Sequence, residues 1–206
     1  VMGIVISQWC ASLIFGMGAV YATQLGMSVA EVANFMAAML AGGMVMQWPL
    51  GRVSDHVDRR WVLAFACVCA VIAATMAANY SSASWQLYAL AFVFGGFCLS
   101  QYSLELSIMN DNLRPREVVP ASGTIVLISG VSSITGPITG AAWMEFFGIM
   151  SFFYLIALAM AALAIISTYR ALFVAAVSDE YKIQSTLQVP AVTVGTVLHV
   201  EEEVAA

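Results

Sequence analysis

Residues 51–60 read GRVSDHVDRR and gather three arginines, two aspartates and a histidine in a chain that is 62% hydrophobic and only 9% charged. Such a set can do recognition chemistry. Guanidinium groups pair with carboxylates or lipid phosphates, and an aspartate accepts hydrogen bonds from the free N–H groups of a helix N-terminus. Other polar side chains lie inside apolar stretches: Gln8, Asn34, Gln47, Gln101, Glu105 and the hydroxyls of Ser129, Ser132, Ser133 and Thr135. Glu105 follows Gln101 by one helical turn on the same face, so the amide can bond the acid in either protonation state. That makes Glu105 the candidate proton carrier, with a wet interfacial carboxylate as the open alternative. Neither a nucleophile–base pair nor a phosphate loop nor a metal-ligand cluster is legible, so no enzyme, cofactor or metal is expected. The four cysteines, Cys10, Cys67, Cys69 and Cys98, have no histidine partners nearby and read as small buried apolar residues.

What positions these residues follows from composition. A soluble domain carries about 25% charged residues, far more than this one. A helix crosses the hydrocarbon with about twenty apolar residues, pairing its backbone internally. Segments 2–24, 29–48, 61–80, 84–108, 121–144 and 149–169 qualify, and the alternating pattern of a membrane β-barrel is missing. The fold class expected is an all-α polytopic membrane protein. Residues 1–170 form a six-helix bundle and residues 171–206 a cytoplasmic acidic tail holding Asp179, Glu180 and Glu201 to Glu203.

The basic residues orient the bundle. Arg52, Arg59 and Arg60 follow the second span, Arg114 and Arg116 the fourth, and Arg170 and Lys182 the sixth, while the opposite connections have none. The positive-inside rule makes the basic side cytoplasmic, with both ends of this segment there, in the inner (plasma) membrane. Nucleic-acid binding lacks a basic footprint. His199 reads as solvated in the tail. The first residue is Val1, so the chain is expected to be the later part of a longer polypeptide.

The spacing of Gly51, Arg52, Asp55, Arg59 and Arg60 resembles the cytoplasmic loop motif of the major facilitator superfamily, found after the second helix of each six-helix half. His56 stands where that family usually has Arg or Lys, and Asp58 where it usually has Gly. The resemblance implies that Asp55 latches onto a helix start in the opposite half, and a tight chain exit at Gly51 after Pro49 suits such a loop. SLELSIMNDNLRPREVVPASG resembles the family's second cytoplasmic connection, with Pro115 and Pro120 as a sharp stop before the fifth span. Gly123, Ser132, Gly136, Pro137 and Gly140 resemble a glycine–proline motif of the superfamily's drug antiporters, where it belongs to the other half; Ser132 replaces a glycine. QWPLGRVSD, MND and ISGVSSITGP look most like the C-terminal half of the YcaD-like permeases. The resemblance covers about residues 2–170. It implies one half of a 6+6 bundle whose first, second, fourth and fifth spans line a cavity, the third and sixth forming the outer scaffold.

Polarity agrees with that division, because Gln8, Asn34, Gln101 and Glu105, the candidate cavity or proton residues, and the fifth-span hydroxyls avoid the third and sixth spans. Simpler readings stand beside these. Ser28 and Glu31 form a capping box. Asp111 and Glu117 pair with or cap their own loop, and Glu145 is solvated at the outer end. Ala37, Ala38, Ala41, Gly42, Gly43 and the set Ser132, Gly136, Pro137 and Gly140 are helix-packing surfaces, with Pro137 placed to bend the fifth span. The function expected is a secondary transporter moving a small solute by alternating access, together with membrane lipids and an N-terminal six-helix half. The alternative is an accessory or assembly subunit without transport activity.

Overall fold

The computed structural model describes residues 2–80, 84–111, 113 and 118–173. Arg114, Pro115, Arg116, Glu117 and the tail beyond Phe173, with Asp179, Glu180, Lys182, His199 and Glu201 to Glu203, lie outside the described residues. Helices run over α1 (Met2–Gln24), α2 (Val29–Ser54), α3 (Arg59–Ala77), α4 (Trp85–Leu99), α5 (Gln101–Asp111), α6 (Val118–Phe147) and α7 (Ser151–Phe173). No strand occurs among the described residues. The segments α4 and α5 lie end to end across Ser100, so six helical stretches are long and apolar enough to cross a membrane.

Short-range chemistry sets the helix starts. The Ser28 hydroxyl accepts from the Glu31 N–H at 3.4 Å while Glu31 Oε2 accepts from the Ser28 N–H at 2.7 Å, the reciprocal capping box expected from the sequence. Asp58 caps α3 by accepting the Arg60 N–H at 2.9 Å. This gives a physical reason for an aspartate at a loop position where the resembled motif usually has a glycine. At the outer turns, Gly26 (φ 80°) and Gly148 (φ 84°) adopt the left-handed backbone that side chains resist.

The core at the end away from the arginines is aromatic. Tyr21 meets Phe153 edge-on at 5.1 Å and stacks on Phe152 at 5.2 Å, and Phe94 meets Phe153 at 5.4 Å. In the middle, α2 and α4 approach backbone to backbone. A Cβ added at Gly95 would lie 2.7 Å from the Cα of Met39, and one at Gly96 would lie 2.6 Å from Met46 Cγ. Glycine is what allows this approach, since no hydrophobic force in lipid draws helices together and close packing must do so. The Ser100 hydroxyl, at the joint of α4 and α5, donates to the carbonyl of Gly96 at 2.6 Å and lies 3.3 Å from that of Gly43.

Several expected boundaries move. The second helix continues through Pro49 to Ser54 rather than ending at Trp48, so Gly51 and Arg52 are helical and the exit is the short turn 55–58. One missing N–H bond at Pro49 is a local loss. The last turn is held by Arg52 over the Trp48 ring at 5.2 Å, by the Ser54 hydroxyl donating to the Gly51 carbonyl at 2.7 Å, and by His56 Nδ1 at 2.9 Å from the Arg52 carbonyl. The third span runs 59–77 instead of 61–80 because Asp58 starts it early. The fourth extends to Asp111 rather than ending at 108, and the sixth occupies 151–173 rather than 149–169. The fifth begins at Val118 instead of 121, with Pro120 inside its first turn, where a missing N–H leaves no intrahelical bond unmade. It stays helical through Pro137 to Phe147.

Candidate functional site

The arginines of residues 51–60 knit together one end of the bundle. Arg59 reaches Asp55 with Nη2 at 3.3 Å and Asp111 with Nε at 3.4 Å, joining the α2–α3 turn to the end of α5. Arg60, only 7% exposed, donates from Nη1 to the main-chain carbonyl of Arg170 in the last described turn of α7 at 3.1 Å. Asp111, which the extra turn of α5 carries toward α3, takes a cation from that helix; the loop arginines expected to pair with it, Arg114 and Arg116, lie outside the described residues. Asp55 caps α2 through its N–H and keeps an exposed carboxylate. Gly51 has nothing within 4 Å of where a Cβ would stand.

A second feature is a shallow groove between α1 and α6. Gln8 Nε2 donates to the Ser129 hydroxyl at 2.5 Å, and the Ser12 hydroxyl lies 2.7 Å from the Ser132 carbonyl. These two helices touch through small residues. A Cβ at Gly136 would fall 3.0 Å from Ser12 Cβ, and one at Gly140 would fall 2.5 Å from Leu13 Cδ2. The Pro137 ring lies over Gly16, and Ser132 is buried beside this seam. The groove encloses about 360 Å³, bounded by Gln8, Ser12, Phe15, Ser129, Ser133 and Pro137.

The third feature is a buried acid. Glu105, only 5% exposed, accepts from the Ser7 hydroxyl with Oε2, while its Oε1 has no hydrogen-bond partner among the described residues. A Cβ at Gly3 would lie 2.5 Å from that oxygen, so α1 closes over the carboxylate through its smallest residue.

Residues 1–194 match the family described as the Major Facilitator Superfamily. The chain belongs to that superfamily. It is 32% identical over 144 residues to the uncharacterized MFS-type transporter YfkF of Bacillus subtilis, covering 69% of this chain and 36% of that protein. It is 30% identical over 155 residues to the multidrug transporter MdfA of Edwardsiella piscicida, covering 71% of this chain and 35% of that protein. Against the uncharacterized MFS-type transporter YcaD of Shigella flexneri it is 24% identical over 157 residues, covering 76% and 40%. The matches thus span little more than a third of these relatives' length. Family and hydropathy together make this a multi-pass membrane protein.

In this superfamily bundle the four residues expected to share a cavity do not meet. Gln8 lines the α1–α6 groove, Asn34 is exposed on α2, and Gln101 and Glu105 are buried on α5. Helical phase separates them: Asn34 lies one position before Phe35, which turns into the aromatic core. The expected Gln101–Glu105 bond is not made, since neither side-chain atom of Gln101 has a partner. α1 covers Glu105 on one side, and on another the acid lines a pocket with Met2, Leu113 and the exposed Arg170. The least covered helices are α2 and α6, while α3 and α7 are buried over much of their length and pack on each other. Sequence reasoning passed over Gly3, Ser7 and Ser12. The available signal was Gly3 and Ser7 spaced by four on one face of α1, a small-residue surface against which a polar neighbour can sit.

Proposed function

We propose that this chain is one six-helix half of a secondary transporter, moving a small solute across the inner membrane by alternating access with an N-terminal six-helix half. The observation that carries the reading is the groove between α1 and α6, on which Gln8, Ser12, Ser129 and Ser133 open; Asn34 and Gln47 on α2 are exposed as well. Polar side chains facing lipid are costly, so a watered cavity closed by a second bundle accounts for them. The basic end faces the cytoplasm by the positive-inside rule. There, Asp55 with its exposed carboxylate is the group available to latch the opposite half in one access state. Glu105 is the proton carrier of this half, a carboxylate held by Ser7 on one oxygen and open on the other.

Uptake into vesicles containing the complete protein tests the proposal. Flux that depends on both a solute and an imposed gradient supports it. No flux above protein-free vesicles across broad solute panels favours an accessory role instead.

A further inference from the structure

Beside Glu105, on the side away from the α1–α6 groove, lies a pocket of about 520 Å³ enclosed by α1, α3, α5 and α7. Its walls are mainly apolar, with Met2, Ile4, Leu63, Met109, Leu163 and Ile166 among them, and Ser167 and Arg170 lie on the α7 side. None of the residues that line the groove also lines this pocket. Volume and lining match those of small-molecule sites: largely hydrophobic, with a few placed polar groups. The polar group here is unusual. Glu105 Oε1 is a buried acceptor with no donor among the described residues, while Oε2 accepts from Ser7.

An apolar pocket with one unfilled acceptor calls for a ligand with an apolar body and an N–H donor at one end, and a carboxylate selects a cationic donor over a neutral one. We propose that this lateral pocket binds a primary ammonium group, with the N–H directed at Glu105 Oε1 and the attached apolar chain packed on Leu63, Leu163 and Ile166. The ammonium belongs either to a free amphipathic amine or to an aminophospholipid whose tail remains in the bilayer. The site lies outside the solute groove but shares Glu105 with the proton-carrier reading above, so an ammonium there competes with proton loading, while binding itself requires no flux.

The test uses the complete protein in nanodiscs of phosphatidylcholine, whose quaternary headgroup has no N–H. Thermal unfolding is followed with benzylammonium, with the neutral isostere benzyl alcohol, and separately in discs containing phosphatidylethanolamine. Saturable stabilisation by benzylammonium but not benzyl alcohol assigns a free amine; stabilisation by phosphatidylethanolamine assigns a lipid. In either case Glu105→Gln weakens the effect by about tenfold or more, the scale of one charge-assisted hydrogen bond. Ile166→Trp, which fills the pocket while leaving the acid in place, abolishes it, and Ser133→Ala in the groove leaves it unchanged. Stabilisation by neither probe overturns the proposal, as does a response that survives Ile166→Trp. Because no gradient or solute enters the measurement, its failure is separable from failure of transport.

Discussion

The hydroxyl of Ser7 on α1 donates to Oε2 of Glu105 on α5, tying the first helix to the only acid enclosed within the described bundle. The bond spans 98 residues of sequence, so it is a tertiary clamp rather than a local cap. Ser7→Ala removes the donor to Oε2 and leaves both carboxylate oxygens without donors among the described residues. It is expected to cost about 1–3 kcal/mol, read as a lower thermal midpoint of the complete protein. An unchanged midpoint would show that the clamp contributes nothing.

Two glycines separate packing from conformational freedom. At Gly95 an added Cβ meets the Met39 backbone, which cannot swing away, so Gly95→Ala is expected to destabilise by roughly 1–3 kcal/mol. At Gly51 the helix is regular and the space open, so Gly51→Ala is expected to be neutral or stabilising by up to about 1 kcal/mol. Thermal unfolding of the pair reads the contrast. Equal losses at both positions would refute it.

The two adjacent arginines differ in burial and therefore in energetic weight. Arg59 makes partly exposed ion pairs, each worth about 0–1 kcal/mol, whereas Arg60 is buried and bonds a helix-end carbonyl at about 1.5–3 kcal/mol. Arg60→Ala is expected to lower the thermal midpoint more than Arg59→Ala. Raising salt to about 1 M should erase the Arg59 difference. Equal midpoints would contradict this division.

How much of this was legible in the sequence follows from the range of each interaction. The capping box of Ser28 and Glu31 is local, and both partners lie within one turn, so residue types alone reveal it. The six apolar stretches are legible because membrane solvation acts on each helix separately. The end of α2 was misplaced because Pro49 reads as a breaker, whereas the Trp48–Arg52 stack and the His56 contact that hold the last turn show only in three dimensions. The Arg59–Asp111 and Ser7–Glu105 contacts join distant helices. Their geometry depends on helical rotation, which also leaves Gln101 without a bond to Glu105 although the two are spaced for one.

Asp55 carries an exposed carboxylate, so Asp55→Asn is expected to leave folding nearly unchanged. If it latches the opposite half, the same substitution shifts the balance of inward and outward states. Side-specific thiol labelling of the complete protein measures that balance. A labelling ratio identical to the parent's, with normal expression, would remove Asp55 from the gating role.

The central claim is that the groove between α1 and α6 borders water rather than lipid, as a solute path must. Ser133 is the position to probe, being exposed on α6 and part of the groove wall. In the complete protein, Ser133→Cys should react with a membrane-impermeant thiol reagent, while Ile165→Cys, on an exposed apolar position of α7, should not. Reaction at Ser133→Cys alone is the predicted result. No reaction at Ser133→Cys from either side of the membrane, under conditions that label a loop cysteine fully, would place this groove against lipid and contradict the account.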